Sequence, residues 1–282
     1  RFVTNAAQLQ DWVGWNVRHG AIYADAVLLA HAQRAAEAGD NAALDAVAEL
    51  AAAMRGTAET AMESRQQGAS FFDTAAAVWP HRAVYITPMA AVAGAVADEV
   101  LEALVHGRAL DKAYVNDGGD IAVHLAPGHQ LRAGIVADLQ APQLSGFATL
   151  HHDRPVRGIA TSGCGGRSFS LGIADSTTVL AATAAAADAA ATLIANAVNV
   201  DTPAVHRQPA CELDPDSDLG ELAVTVAVGD LPPALVVEAL DRGLLEARRL
   251  RLCGMIDSAA LSLQGHWRIE AGGTAFARRE AE

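Results

Sequence analysis

Residues 116–120 read Asn-Asp-Gly-Gly-Asp and place two carboxylates, an amide and two glycines between short apolar runs. One interpretation is a plain hairpin turn, because Asp-Gly and Gly-Gly pairs supply the positive φ angles that such turns need. The other is a binding segment, in which bare glycine backbone lets a ligand approach and polar side chains contact a ribose, a heterocycle edge or a hydrated cation. This segment alone leaves both open. Its candidate binding residues are Asn116, Asp117, Gly118, Gly119 and Asp120.

Residues 157–176 contain a predicted strand followed by a loop that is rich in glycine and hydroxyl groups. Backbone N–H groups and hydroxyls in such a loop suit phosphate oxygens, and the guanidinium of Arg167 suits bidentate phosphate binding. The pattern GxxxxGKS or GxxxxGKT is absent, which argues against an ordinary P-loop nucleotidase. A surface turn with a charged tip is the alternative, and Cys164 is interpreted as a packed thiol. The candidate phosphate-binding residues are Thr161, Ser162, Gly163 and Arg167.

A third chemical pattern lies on a predicted alanine-rich helix. Asp188, Thr192 and Asn196 are spaced four residues apart and therefore share one face of it. A solvated polar stripe is one interpretation, but the other faces are apolar, so we expect this helix to be buried on nearly every side. A carboxylate is costly to bury without a partner, and a hydroxyl one turn away adds an oxygen ligand that suits Mg²⁺. The three segments together predict a magnesium–phosphate site, with Asp188 and Thr192 as metal ligands.

Separate blocks of helix and strand must position these segments. Apolar residues at helical spacing predict helices over residues 21–66, with a break at Gly39, and over 89–104, 178–198 and 232–252. Short β-rich runs predict several strands between residues 114 and 162, one at 221–228, and a closing hairpin about Gly265. Residues 200–218 are expected to form a polar loop. Blocks without strict alternation favour an α+β fold over a doubly wound sheet.

The composition limits the possible functions. A net charge of −13, with Lys112 as the only lysine, argues against a nucleic-acid partner, so an anionic ligand must rely on arginines, backbone N–H groups or a metal. Three widely spaced cysteines form no zinc pattern and fit a reducing compartment, so we expect a cytoplasmic protein. No long uncharged apolar run predicts a membrane span. The sequence begins at Arg1, which leaves an earlier export signal open.

Four stretches resemble the ApbE-like flavin transferases, which move FMN from FAD to a protein threonine or serine with Mg²⁺. Residues 115–121 resemble the family's N-x-GGD-I strand and turn, and residues 160–163 resemble its A-T-S-G loop. Residues 188–192 resemble the D-A-x-x-T helix that binds the metal, and residues 94–104 resemble a helix with a G-x-x-x-D segment that lies along FAD. The order of the motifs is the most specific feature. The likeness is closest to a divergent, uncharacterised branch of that superfamily.

The resemblance implies an ApbE-like fold, in which central antiparallel or mixed sheets are flanked by Ala-rich helices. It implies a single domain over residues 1–282, with a helical N-terminal part at 1–110 and a motif-bearing α+β part at 111–282. The implied ligands are Mg²⁺ and FAD or FMN, and the implied partners are a small-molecule nucleotide and an acceptor protein. The Ala-rich helices could pack within one chain or across a homo-oligomer.

Departures from the family pattern affect the transfer reaction itself. The family's His-x-x-Asp-Pro segment has Gly172 at the His position and Asp175 at the Asp position, and Ala93 replaces a lysine. Loss of the His removes a general base, a role typically contributing about 10²–10⁴-fold in rate, and leaves Asp175 as the candidate catalytic residue. Three hypotheses follow. They are a Mg²⁺-dependent protein acting on the FAD pyrophosphate, a flavin-binding module or reductase subunit without transfer, and an enzyme for another heterocyclic or phosphoester substrate.

Overall fold

The computed structural model describes residue 86 and residues 88–136, 144–166, 168–215, 217, 219–273 and 276–278. The helices predicted within residues 21–66, and Arg167 of the predicted phosphate loop, lie outside the described residues. A 3₁₀ turn at Pro88–Ala91 leads into helix α1 (Val92–Val105), and α2 (Ala184–Ala197), α3 (Ala210–Leu213) and α4 (Pro233–Leu252) follow. The strands are β1 (Lys112–Asp117), β2 (Asp120–Leu125), β3 (Gln130–Val136), β4 (Leu144–His151), β5 (Gly158–Ser162), β6 (Ser176–Ala181), β7 (Val205–Pro209), β8 (Ala223–Val228), β9 (Ser258–Leu263), β10 (His266–Glu270) and β11 (Phe276–Arg278).

The largest sheet has six strands in the order β1-β2-β5-β6-β9-β10, and neighbouring strands in it are antiparallel. A three-stranded antiparallel sheet has the order β11-β4-β3, and β7 pairs with β8 as a two-stranded ribbon. Helices and antiparallel strands of this kind confirm the predicted α+β class. No helix in the part of the chain that the structure describes is long and apolar enough to cross a membrane.

The six-stranded sheet buries apolar residues on both of its faces. On one face, Ala160 of β5 and Val179 of β6 belong to a core that also contains residues of α2 and α4. On the other face, their strand neighbours Ile159 and Leu180 pack with Leu150 of β4. Successive side chains of a strand point to opposite faces, so each strand residue can be assigned to a face by its position. We call these faces the helix-facing side and the β4-facing side.

Helices α1 and α2 cross closely at Gly94. A Cβ atom at this position would lie 2.3 Å from the carbonyl oxygen of Ala184, well inside van der Waals contact, so only glycine fits there. Half of the residues of α2 are buried alanines, which lets this helix lie against both α1 and the sheet. The expectation that the alanine-rich helix is buried on nearly every side is confirmed.

The prediction of a helix over residues 178–198 is wrong for its first residues. Ser176–Ala181 form the central strand β6, in which every side chain is buried. Helix α2 begins only at Ala184, where the N-cap Thr183 accepts a hydrogen bond from the N–H of Ala186. The β-branched run Thr-Thr-Val suits a strand, and pairing with β5 on one side and β9 on the other decides it.

The other predicted elements that lie within the described residues agree with the structure except at residues 200–218. The predicted polar loop there contains β7 and the short helix α3, because pairing with β8 overrides its polar composition. The helix at 89–104 is confirmed apart from its 3₁₀ first turn, and the helix at 232–252 agrees with α4. The closing hairpin is also confirmed, since Gln264 (φ 46°) and Gly265 (φ 77°) form the turn between β9 and β10.

Candidate functional site

The Asn-Asp-Gly-Gly-Asp segment forms the hairpin turn between β1 and β2. Gly118 (φ 70°) and Gly119 (φ 118°) adopt backbone conformations that favour glycine. The Oδ1 atom of Asn116 accepts a hydrogen bond from the N–H of Gly119 at 2.8 Å. These three residues therefore serve the turn itself, as the first interpretation of the segment holds. Asp117 and Asp120 are paired across the hairpin directly beside the turn.

Asp117, Asp120 and Asp188 form an acidic cluster on the helix-facing side. Asp117 is buried, and the other two are half-buried. Burial raises the pKa of Asp188 well above the ordinary carboxyl range, and the charge of Asp120 raises it further, with a smaller contribution from Asp117. Hydrogen bonds from the N–H groups of Gly94 and Ala93 act in the opposite direction. Like charges gathered in a partly buried place favour a bound cation.

Helices α1 and α2 each place a carboxylate at the other helix's N-terminus. The Oδ2 atom of Asp188 accepts a hydrogen bond from the N–H of Gly94 at 3.0 Å, in the first turn of α1. Asp98 of α1 accepts hydrogen bonds from the N–H groups of Ala184 (3.0 Å) and Ala185 (2.9 Å) at the start of α2. Each carboxylate thus opposes the partial positive charge of a helix N-terminus. Sequence reasoning missed this role of Asp98, although its spacing from Gly94 repeats the spacing of Asp188 from Ala184.

The sequence predicts Asp188 and Thr192 as ligands of Mg²⁺, and both carry the oxygen donors that this ion takes. The acidic cluster carries an excess of negative charge, and Thr192 lies half-buried one turn beyond Asp188 on the same face of α2. Among the described residues, no three or more His, Cys, Asp or Glu side chains stand close enough together to hold a metal ion. Mg²⁺ commonly takes one or two carboxylates from a protein and completes its shell with water or phosphate oxygens. Asp188 and Thr192 are therefore the residues that could hold it directly.

The predicted phosphate hydroxyls lie beside the hairpin turn, but on opposite faces of the sheet. The pairing register of β2 and β5 puts Thr161 level with Gly119. Thr161 is on the β4-facing side, where its hydroxyl lies 2.9 Å from that of Thr178. Ser162 is half-buried on the helix-facing side, together with the acidic cluster. A ligand at the acidic cluster is therefore closer to the side chain of Ser162 than to that of Thr161.

Thr177 adds a buried hydroxyl to the helix-facing side. It pairs with Ser162 across β5 and β6, and its side chain is fully buried. Its Oγ1 atom has no hydrogen-bond partner among the described residues. Unpaired buried hydroxyls are uncommon and costly, so this one, beside the predicted phosphate-binding residue Ser162, is a candidate hydrogen-bonding group for a bound ligand. Sequence reasoning missed Thr177, because a helix and not a strand was predicted from residue 178 onwards.

The loop of residues 163–175 connects β5 to β6, and its two ends are held together. The N–H of Cys164 donates to the carbonyl of Ala174 at 2.8 Å, and a Cβ at Gly163 would lie 2.4 Å from the carbonyl oxygen of Asp175. The carboxylate of Asp175 accepts a hydrogen bond from the N–H of Gln264 in the closing hairpin. Burial, and secondly the charge of Asp175, raise the pKa of the Cys164 thiol, which agrees with a packed thiol.

Gly172 packs against the backbone of α2. A Cβ at this position would lie 2.0 Å from the carbonyl oxygen of Ala195, so the loop has no room for a side chain there. The Oδ1 atom of Asn196 accepts hydrogen bonds from the N–H of Leu171 (3.0 Å) and the hydroxyl of Ser170 (3.3 Å). Asn196, the third member of the polar stripe on α2, therefore anchors the loop. The stripe is not a solvated surface.

A comparison with known proteins decides the family. Residues 15–269 match the sequence profile of a family described as AbpE bacteria. This chain belongs to that family. The AbpE match covers most of the chain and includes the hairpin turn, the loop of residues 163–175 and helix α2.

Two kinds of relatives accompany the AbpE match. A UPF0280 protein of Methanothrix thermoacetophila is 38% identical over 154 residues, which are 53% of this chain and 62% of that protein. The urease accessory protein UreF of Rhodopseudomonas palustris is 51% identical over 77 residues, which are 27% of this chain and 32% of UreF. UreF 1 of Brucella abortus is 47% identical over 78 residues and 33% of its length. The chain thus spans about a third of the urease accessory proteins that it matches.

Proposed function

We propose that this AbpE-family protein binds a flavin nucleotide together with Mg²⁺, with the pyrophosphate of the nucleotide beside the acidic cluster. The observation that carries the proposal is the gathering of Asp117, Asp120 and Asp188 at one partly buried place, which also raises the pKa of Asp188. A divalent cation offsets such charge, and it also attracts phosphate oxygens. The resemblance of four motifs, in order, to the flavin transferases supports the flavin part of the proposal.

The residues of the site have distinct roles in this proposal. Asp188 and Thr192 hold the cation, and Asp120 and Asp117 add negative charge around it. Ser162 and the backbone N–H groups of Gly163 and Gly165 contact phosphate oxygens, while the N–H groups of Cys164 and Gly166 donate to carbonyls of the loop itself. Bound Mg²⁺ supplies positive charge that stabilises the pyrophosphate.

Binding without transfer is the form of this function that the geometry supports best. The His position of the transferases is Gly172, whose Cβ would collide with the carbonyl oxygen of Ala195. The remaining candidate base, Asp175, accepts a hydrogen bond from the N–H of Gln264 and so joins two loops. These two residues favour the hypothesis of a flavin-binding module over that of an FMN transferase.

Titration calorimetry with FAD tests the proposed binding. We expect Mg²⁺-dependent binding to the wild type, and a loss of at least about tenfold in affinity for Asp188→Asn, because a charged ligand is lost. Asp153→Asn is the matched control, since Asp153 is exposed in the turn between β4 and β5. Equal affinity in Mg²⁺ and in EDTA would contradict the proposal. Displacement of FAD by a non-flavin heterocycle or phosphoester would instead support the third hypothesis.

A separate assay tests transfer. The protein is incubated with FAD, Mg²⁺ and a hydroxyl-bearing acceptor domain, and AMP and covalent flavin are measured. We expect neither product. Release of AMP with labelled acceptor would restore the transferase hypothesis and give Asp175 a catalytic role.

Binding to urease as an accessory protein is a second candidate function. The observation that favours it is the 51% identity over 77 residues with UreF of Rhodopseudomonas palustris, a urease accessory protein. Size-exclusion chromatography of the whole chain with urease apoprotein tests it. A complex that is displaced by UreF would support the candidate, and separate elution at micromolar concentrations would contradict it.

A further inference from the structure

We propose that Phe169 is the surface on which the ring of the bound nucleotide stacks, an inference that rests on the proposed function. Phe169 belongs to the loop of residues 163–175 and is 39% exposed. Its neighbours in the loop include Gly165, Gly166 and Ser168, which are small and exposed. An exposed aromatic face with small neighbours is suited to a flat heterocycle, because stacking needs an accessible π face.

The backbone next to Phe169 is held rigidly. The carbonyl of Ser170 accepts a hydrogen bond from the N–H of Thr225 at 2.8 Å, and the hydroxyl of Ser170 accepts one from the N–H of Gly172 at 3.1 Å. The carbonyl of Leu171 accepts a hydrogen bond from the Nδ2 atom of Asn199 at 2.9 Å. A ring placed on a fixed backbone loses little conformational entropy when a ligand binds to it.

The loop lies at one end of the polar stripe on α2, and the acidic cluster lies toward the other. Asn196 anchors the loop and follows Asp188 by eight residues on the same face of the helix. Eight residues of helix correspond to about 12 Å. Because Asn196 contacts Ser170 and Leu171, which follow Phe169, a ligand with phosphates near Asp188 and a ring near Phe169 must bridge the two ends of this stripe, about 12 Å apart. Dinucleotides and flavin nucleotides, in which a sugar or sugar alcohol links a phosphate group to a flat ring, belong to this chemical class.

The affinity of Phe169→Ala for ligands with and without a ring tests the inference. FAD, ADP and inorganic pyrophosphate are titrated in Mg²⁺ into the wild type, Phe169→Ala and Phe169→Trp, and quenching of flavin fluorescence reports stacking. We expect Phe169→Ala to weaken FAD binding by about 5–100-fold, the range typical of a lost base–aromatic stack. Pyrophosphate affinity should not change, and Phe169→Trp should restore FAD binding and quenching. Tyr114→Ala is the matched control, because Tyr114 is 53% exposed but lies on β1, which β2 separates from β5.

The outcomes separate this inference from the proposed function. Mg²⁺-dependent FAD binding that is equal in the wild type and Phe169→Ala would overturn the ring platform and leave the proposed function standing. An equal loss of FAD and pyrophosphate affinity in Phe169→Ala would show a structural role of the side chain and would also overturn it. Absence of binding of all three ligands to the wild type would overturn both proposals.

Discussion

Gly172, which the resemblance to the flavin transferases aligns with a histidine, lies against the backbone of α2. We expect Gly172→Ala to lower the free energy of unfolding by about 3 kcal/mol, the upper part of the range for overpacking, because its Cβ would lie 2.0 Å from the carbonyl oxygen of Ala195. Urea unfolding measures this effect.

Gly165→Ala is the matched control for Gly172→Ala. A Cβ at Gly165 would meet no atom within 4 Å, so we expect a change of less than about 0.5 kcal/mol. Equal stability of the two variants would show that the loop can move away from α2, and a histidine at position 172 would then be compatible with the fold.

The sequence predicts the hairpin turn and the meeting of two carboxylates, whereas the ligand contacts of the site residues stay predictions. Asn116 and the two glycines are explained by local turn chemistry, which a short segment specifies by itself. The prediction that the three segments share one site implies that Asp188 lies near Asp120. The structure brings these two carboxylates together. The bond from Gln264 to Asp175 is different, because it joins residues that are 89 positions apart and leaves no local pattern.

At the scale of elements, Asp98 of α1 and Asp188 of α2 each accept hydrogen bonds at the N-terminus of the other helix and so hold the two N-termini together. We expect Asp98→Ala to lower the free energy of unfolding by about 1–2 kcal/mol, because the N–H groups of Ala184 and Ala185 lose their acceptor. Thermal and urea unfolding measure the loss. Glu99→Ala is the control, since Glu99 is the exposed neighbour on the same helix, and an equal loss in both variants would refute the capping role.

The pH dependence of stability gives a second test of this helix pair. Burial raises the pKa of Asp98 more than the hydrogen bonds from Ala185 and Ala184 lower it. The contribution of Asp98 to the free energy of unfolding is therefore present below the ordinary carboxyl pKa of about 3.9, and it is lost as the pH rises through the raised pKa. We therefore expect the unfolding free energy of the wild type, relative to Asp98→Asn, to fall between about pH 4 and 7. A relative stability that rises with pH would contradict this prediction.

Strand β6 shows why some elements were not predictable from local pattern. Its residues are apolar or hydroxyl-bearing, and alanines follow it directly, so the helical spacing of α2 extends backwards into it. The pairing with β5 and β9 decides that it is a strand, and β9 is distant in the sequence. Helix α4, by contrast, has its Pro at the start and arginines in its last turn, which are local signals.

At the scale of the whole molecule, the fold brings the hairpin turn, the loop of residues 163–175 and α2 to one end of the six-stranded sheet. The block order of helices and strands predicts the α+β class, while the strand order β1-β2-β5-β6-β9-β10 depends on non-local pairing. The relatives of the chain include both a UPF0280 protein and urease accessory proteins. The flavin-binding and urease-related candidates therefore have separate tests.

The most direct test of the acidic cluster as a cation–pyrophosphate site uses Mn²⁺ in place of Mg²⁺. Phosphorus NMR of FAD is recorded with the wild type and with Asp188→Asn, at concentrations that bind the nucleotide. We expect Mn²⁺ to broaden both pyrophosphate resonances strongly in the wild type and much less in the variant, because the paramagnetic ion lies beside the phosphates only when Asp188 holds it. Equal broadening in both proteins, or none in the wild type with FAD bound, would contradict the account.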